Sequence, residues 1–254
     1  MKNTGLLVFL FLWVTGFSTS LTSINIKEAN TAAAFLLTSS HTNNNDEKAE
    51  EILEKYIRVI GGEKAIESIE TLSCKYNAAV NTQRQSIFLS RTTHQKSPDK
   101  YLEETIMDGE RILKRIYNQG ESKITNVYNP LSKTQQATLK YAGIMFPERF
   151  YSDLKYQPTF ISTEMVDGVD TYKIRITIDG LSIYENYEIE SGLKVRFQFG
   201  EGNWSTLSDY KEVEGVKIPF KFTIDNSRFR KPIRFTLKKV KVNEGIKDDL
   251  FAIK

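Results

Sequence analysis

The sequence predicts an α+β fold dominated by an antiparallel sheet with one apolar face, and three observations predict it. From Tyr172 to Ile178, apolar residues at even positions alternate with Lys173, Arg175 and Thr177, the period of two that marks a strand with one face buried and one wet. The alternation returns in Leu193, Val195, Phe197 and Phe199, and again in Val216, Ile218, Phe220, Phe222 and Ile224. Between these runs stand Asp179-Gly180, Glu190-Ser191-Gly192 and Glu214-Gly215, short polar turns with a glycine, so successive strands should pair antiparallel. Ahead of them, Ile52, Leu53, Tyr56, Ile57, Val59 and Ile60 recur at helical spacing and give a helix with a broad apolar face to lay on the sheet.

In chain order, Met1-Lys2-Asn3 and the apolar stretch Leu6–Phe17 have the form of a signal peptide. Small residues at Ser18-Thr19-Ser20 put cleavage after Ser20, so residues 1–20 are read as the signal peptide. No charge stands between Lys2 and Lys27, which makes an uncleaved N-terminal anchor the alternative, although the apolar core is shorter than the roughly 20 residues a span needs. Residues 21–45, rich in Ser, Thr, Asn and Ala, read as a flexible linker, and the folded domain is placed at 46–254. Asn45 or Asp46 caps the first helix, Glu47 and Glu50 suit its first turn, and Gly61-Gly62 stop it before a short helix from Glu63 to Ile69.

Leu72 to Val80 alternates as a strand, followed by Arg84 to Thr93, Tyr101 to Met107, Arg111 to Tyr117 and Lys123 to Tyr128, with turns at Asp108-Gly109 and Asn118-Gln119-Gly120. Residues 134–155 change to helical spacing, interrupted near Gly143, with Pro147 opening the second piece. The central meander then adds strands at Ile183 to Ile189 and Trp204 to Val213. Near the C-terminus, Ile233, Phe235 and Leu237 share one parity and Val240 and Val242 the other, which requires a bulge near Lys238-Lys239. In this register Lys173, Arg175, Lys194, Arg196, Lys217 and Lys221 belong to the wet face.

The 254 residues carry 35 Lys and Arg against 32 Asp and Glu, a net charge of only +3, with the basic residues spread along outward strand positions. That distribution lacks the basic stripe that nucleic-acid binding needs. The two histidines, His41 and His94, are too few and too far apart for a metal site, and no HExxH, CxxC, Walker or GxSxG motif occurs. No cofactor and no catalytic residue is therefore expected. Cys74, the only cysteine, has no disulfide partner in the chain and alternates with Leu72 and Tyr76 as a buried small hydrophobe. The acid pairs Glu103-Glu104 and Asp248-Asp249 are adjacent, so in strands their side chains point to opposite faces. Glu185 is different: it sits on the apolar parity of Ile183, Tyr187 and Ile189, as a partly exposed edge-strand carboxylate, as one satisfied by a tyrosine hydrogen bond, or as an anchor for a ligand headgroup.

The stretches Val166-Asp-Gly-Val-Asp-Thr-Tyr-Lys-Ile, Tyr187-Glu-Ile-Glu-Ser-Gly-Leu-Lys-Val-Arg and Asp209-Tyr-Lys-Glu-Val-Glu-Gly-Val-Lys-Ile-Pro-Phe resemble bacterial periplasmic proteins of the outer-membrane lipoprotein-sorting-like family, with the LolA-like or LolB-like fold. The resemblance runs from about Glu47 to the C-terminus and rests on strand and turn patterns. It implies a strongly curved antiparallel half-barrel with helices packed over the concave apolar face. It also implies a non-enzymatic periplasmic carrier of lipid or lipoprotein acyl chains, with only transient membrane contact. The wall of such a cavity would come from Tyr172, Ile174, Ile176, Val195, Phe197, Phe199, Phe220 and Phe222, with Leu139, Ile144, Met145 and Phe146 in the segment that covers it. The residues themselves leave two readings open, an ordinary core filled by the first helix or a cavity. The alternative function is an envelope interaction module, accessory to another exported protein and without a lipid ligand.

Overall fold

The computed structural model describes residues 44–81, 85–125, 130–151, 153–202, 204–224 and 232–253; the expected signal peptide and nearly all of the expected linker lie outside them. Helix α1 (Asn44–Ile60) begins just ahead of the expected cap and buries Ala49, Ile52, Leu53, Tyr56, Ile57 and Ile60 along one stripe. Gly61 ends it at φ 139°, and a Cβ there would stand 2.3 Å from the carbonyl oxygen of Gly215. Only glycine lets the helix end approach the sheet this closely. The next helix, α2 (Glu63–Glu67), is a single turn.

Five strands follow: β1 (Thr71–Asn81), β2 (Ser86–Lys96), β3 (Lys100–Met107), β4 (Glu110–Asn118) and β5 (Glu121–Ile124). The end of the expected strand at Lys123–Tyr128 falls outside the described residues. Helix α3 (Lys133–Gly143) opens with a capping box, Gln135 N–H donating to Ser132 Oγ at 3.2 Å and Ser132 N–H to Gln135 Oε1 at 2.8 Å. As expected it stops at Gly143, but the second piece is only a 3₁₀ turn, Pro147–Arg149, with Pro147 in its first position. Seven more strands follow among the described residues, β6 (Gln157–Val166), β7 (Val169–Ile178), β8 (Leu181–Glu188), β9 (Lys194–Phe199), β10 (Ser205–Val213), β11 (Val216–Ile224) and β12 (Ile233–Val242), and a 3₁₀ turn, Asp248–Phe251, comes after them. Strand β6 was not expected, because a register shift between Phe160 and Ser162 breaks the period of two that would have announced it.

All pairings are antiparallel and form one 12-stranded sheet in the order β5-β4-β3-β2-β1-β12-β11-β10-β9-β8-β7-β6. The pairing of β12 with β1 joins the two meanders. Among the described residues the sheet does not close, since β5 and β6 are its edges, and the chain that links those edges carries α3. This is the open half-barrel with helices over one face that the resemblance implies.

Two bulges set which side chains face the helices. Between β1 and β12, Lys75 pairs with Lys239 but Tyr76 with Leu237, so Lys238 is the extra residue, where the change of parity required it. Between β8 and β9, Asn186 pairs with Arg196 but Tyr187 with Lys194, so Val195 is skipped. The second bulge overturns one expectation: Lys194 turns onto the face of Tyr187 and is buried. Of the other expected wet residues, Lys217 and Lys221 are exposed, while Lys173, Arg175 and Arg196 are half-buried on the outer face. There Arg196 Nη2 donates to Glu164 Oε1 at 2.5 Å and its guanidinium lies 3.8 Å from the Trp204 ring centre.

Candidate functional site

The inner face of the sheet divides into two halves. Under α1, Ile174, Ile176 and Ile183 have no exposure at all, and they pack with Ile52, Tyr56, Tyr187, Val216 and Ile218 in one core. Beyond α1 the same face continues through Phe197, Phe199, Leu207, Phe222 and Ile224, and every one of these is half-buried. The register explains the continuity: Glu185 lies opposite Phe197, Phe197 opposite Ser205, Leu207 opposite Phe222, and Phe222 opposite Phe235. Over this second half stand Leu139 and Ala142 of α3 with Ile144, Phe146 and Pro147, and between the two layers lies a cleft of about 440 Å³. That lies within the roughly 300–1,000 Å³ of small-molecule sites.

Of the residues proposed for an acyl-chain wall, Phe197, Phe199, Phe222, Leu139, Ile144 and Phe146 line this cleft. The others lie elsewhere. Ile174, Ile176 and Met145 belong to the packed core, and Tyr172 and Phe220 pack against its edge, Tyr172 edge-on to Phe160 at 5.9 Å. Val195 is the bulged residue.

Two ionic clusters interrupt the apolar lining. The first is centred on Glu185, 1% exposed, whose Oε1 accepts from Tyr141 Oη at 2.8 Å and Lys194 Nζ at 3.0 Å and whose Oε2 accepts from Tyr187 Oη at 2.5 Å and Tyr151 Oη at 3.2 Å. Lys194 also pairs with the buried Glu148 of the 3₁₀ turn, tying the covering segment to the sheet. Burial pushes the Glu148 carboxyl up. Burial opposes the charge on Lys194, but Glu148 and Glu185 outweigh it and hold the ammonium well above the usual lysine range. The tyrosine reading of Glu185 is thus the one observed, with three hydroxyls in place of one.

The second cluster joins β2, β3 and β4. Glu103, 2% exposed, accepts at the same Oε2 from Arg91 Nη2 at 2.8 Å, Arg115 Nη1 at 3.4 Å and Tyr101 Oη at 2.7 Å. Burial alone would raise the Glu103 carboxyl, yet Arg91 and Arg115 outweigh it and hold it below the ordinary glutamate value. Its neighbour Glu104 faces outward to Arg111 at 2.9 Å, as alternation requires. Sequence reasoning missed this cluster, although the signal that singled out Glu185 was present: Glu103 shares the parity of Tyr101, and Arg115 that of Leu113 and Tyr117.

Elsewhere, Cys74 is buried and its thiol is pushed up to about 11 by burial, which disfavours the thiolate form that reacts. His94 shares a hydrogen bond with Ser73 Oγ at 2.8 Å, and His41 lies outside the described residues. Among the described residues no group of His, Cys, Asp and Glu could hold a metal ion, and no helix is long and apolar enough to cross a membrane.

No family model matches the sequence, and no curated protein matches it. Among solved structures, a LolA superfamily protein from Nitrosomonas europaea is 11% identical, with a TM-score of 0.48 over 81% of this chain and 97% of that one. An outer-membrane lipoprotein-sorting protein domain from Vibrio parahaemolyticus is 13% identical, with a TM-score of 0.47 over 82% and 97%. A DUF1329 family protein from Desulfovibrio piger is 10% identical and aligns over 82% of this chain and 97% of that one with a TM-score of 0.51. That last likeness is one of architecture: the chain has the fold of the DUF1329 family protein.

Proposed function

We propose that this protein is a non-enzymatic periplasmic carrier that holds an acyl chain of a lipid or lipoprotein in the inner-face cleft. The observation that supports it is the half-burial of Phe197, Phe199, Leu207, Phe222 and Ile224 on a face whose other half is fully packed. Aromatic and aliphatic surface left reachable in a concavity favours an apolar ligand, at about 25 cal/mol per Å² removed from water. The inner-face carboxylates Glu103, Glu148 and Glu185 are engaged with cations or tyrosines, which supports a binding role over a catalytic one.

Native mass spectrometry of protein recovered from a bacterial envelope should show a co-purifying lipid mass. After delipidation, acyl ligands should raise the melting temperature by mass action. Phe222→Asp should abolish both effects, because a carboxylate in that wall would have to be desolvated by the chain. If no lipid co-purifies and melting is indifferent to acyl ligands, the interaction module without a lipid ligand becomes the better reading. Export itself is checked separately: N-terminal sequencing should return a chain starting at Leu21, and recovery of Met1 would point to the anchored form.

A further inference from the structure

The two ionic clusters of the cleft are unequal in charge. Beside β8 and β9, two carboxylates, Glu148 and Glu185, share one ammonium, Lys194. Beside β2, β3 and β4 the ratio is reversed, and two guanidiniums, Arg91 and Arg115, share the single carboxylate of Glu103. Both arginines line the cleft, and their side chains keep 22% and 18% of their surface exposed, so a ligand can reach them. The β2–β4 wall therefore carries one positive charge more than it neutralises, in surroundings that are largely apolar.

Three further features aim that charge at a ligand. Arg91 Nε is buried and makes no hydrogen bond with any described residue, so Glu103 leaves part of this guanidinium's donor capacity unused. The Arg91 guanidinium lies 5.3 Å from the ring centre of Phe222, so the charged end of the cleft adjoins its apolar wall directly. Glu103, itself held by the Tyr101 hydroxyl, fixes both guanidiniums, which reduces the ordering cost of binding. At about 440 Å³ the cleft sits in the lower part of the usual range for ligand sites, which suits one chain better than several.

Resting on the acyl-carrier reading, we propose that the cleft takes a single-chain anionic amphiphile, with its carboxylate or phosphate on Arg91 and Arg115 and its chain along Phe222, Phe199 and Leu139. Charge-assisted hydrogen bonds contribute more than neutral ones, and an apolar surrounding strengthens them further.

The test is a charge series on one chain length, titrated into the delipidated full-length protein at pH 7.5: laurate, 1-dodecanol, dodecyltrimethylammonium and lauroyl lysophosphatidylglycerol. Laurate or the lysophospholipid should bind at least about tenfold more tightly than the alcohol, and the cation more weakly than both. Which of the two anions binds better identifies the headgroup as carboxylate or phosphate. Arg91→Met should shrink the preference for the anion over the alcohol severalfold, the ratio of the two affinities being the quantity read, and added salt should weaken the anion without weakening the alcohol. Equal affinity for laurate, alcohol and cation in the wild type would overturn the headgroup assignment and leave the carrier reading standing. Binding of none of the four would overturn the carrier reading with it. The wild-type series decides the matter even if Arg91→Met fails to fold.

Discussion

Two stretches of one sheet face, built from the same kinds of residue, have opposite fates here. Beneath α1, Ile174, Ile176 and Ile183 are sealed, and where this half meets the cleft Glu185 and Lys194 are closely held by tyrosines. Beneath α3, Phe197, Phe199 and Phe222 stay half-exposed, and Arg91 and Arg115 reach the cleft. What separates the halves is the cover. Helix α1 presents a continuous stripe of six buried residues, whereas α3 turns its buried Leu139 toward a smaller cluster with Tyr101, Leu113 and Tyr117 on β3 and β4. A sheet wider than its covering helices keeps a cleft.

The largest expected effect tests whether the two ionic clusters differ as their surroundings do. Lys194→Met leaves Glu148 and Glu185 buried without their shared cation, and breaking a buried pair in this way costs about 3–5 kcal/mol. Melting should fall by roughly 10 °C, at about 2–4 °C per kcal/mol for a protein of this size. Arg91→Met should cost about 1–2 kcal/mol, since Glu103 keeps Arg115 and Tyr101 and water reaches the site. Equal losses in calorimetry would erase the distinction between a sealed and an open half.

Side-chain truncation sharpens the same contrast at smaller scale. Ile176→Ala, in the sealed half, should cost about 3 kcal/mol through lost transfer energy and a new cavity. Phe197→Ala removes a larger side chain but only enlarges a cleft that already exists, so about 1 kcal/mol is expected from urea unfolding. If Phe197→Ala proves the costlier of the two, the rings of the cleft are packed as core and the ligand site is lost.

The strands with unbroken alternation, their turns and the bulge at Lys238 were legible because each leaves a mark in the parity of apolar residues. The bulge at Val195 leaves none: Leu193, Lys194, Val195, Arg196 and Phe197 alternate without a break, so a slip of one residue is silent and Lys194 reads as a surface lysine. Strand β6 was hidden for the opposite reason, a real break in alternation at Ile161. The division into core and cleft is invisible in the sheet residues, because it is decided by the reach of α1 and α3 and by the long-range pairing of β12 with β1. The Arg91, Glu103 and Arg115 cluster was within reach of parity reasoning, but its meaning depends on three strands meeting in register, Glu103 opposite Arg115 and Arg91 opposite Thr105.

The smallest expected effect is a change of slope with pH, and it separates the clusters by the sign of their linkage. The Glu103 carboxyl is held below its ordinary value once Arg91 and Arg115 have outweighed its burial. Its native form therefore binds protons less readily than the unfolded chain, so its contribution is complete above the unfolded value, about 4.3, and fades as pH falls through the lower native one. Glu148 runs the other way: burial raises its carboxyl, so its contribution is present at low pH and is lost as pH rises through the native value. Glu103→Gln should accordingly be less stable than wild type at pH 7, and that deficit should narrow as pH is lowered toward 3. Glu148→Gln should show the reverse, its stability relative to wild type falling as the pH is lowered. Urea unfolding of the three proteins at pH 7, 5 and 3.5 reads both trends. A deficit for Glu103→Gln that stays constant across this range would mean that Glu103 is not the charged partner of the two arginines in the folded protein, and the positive wall of the cleft would then need another origin.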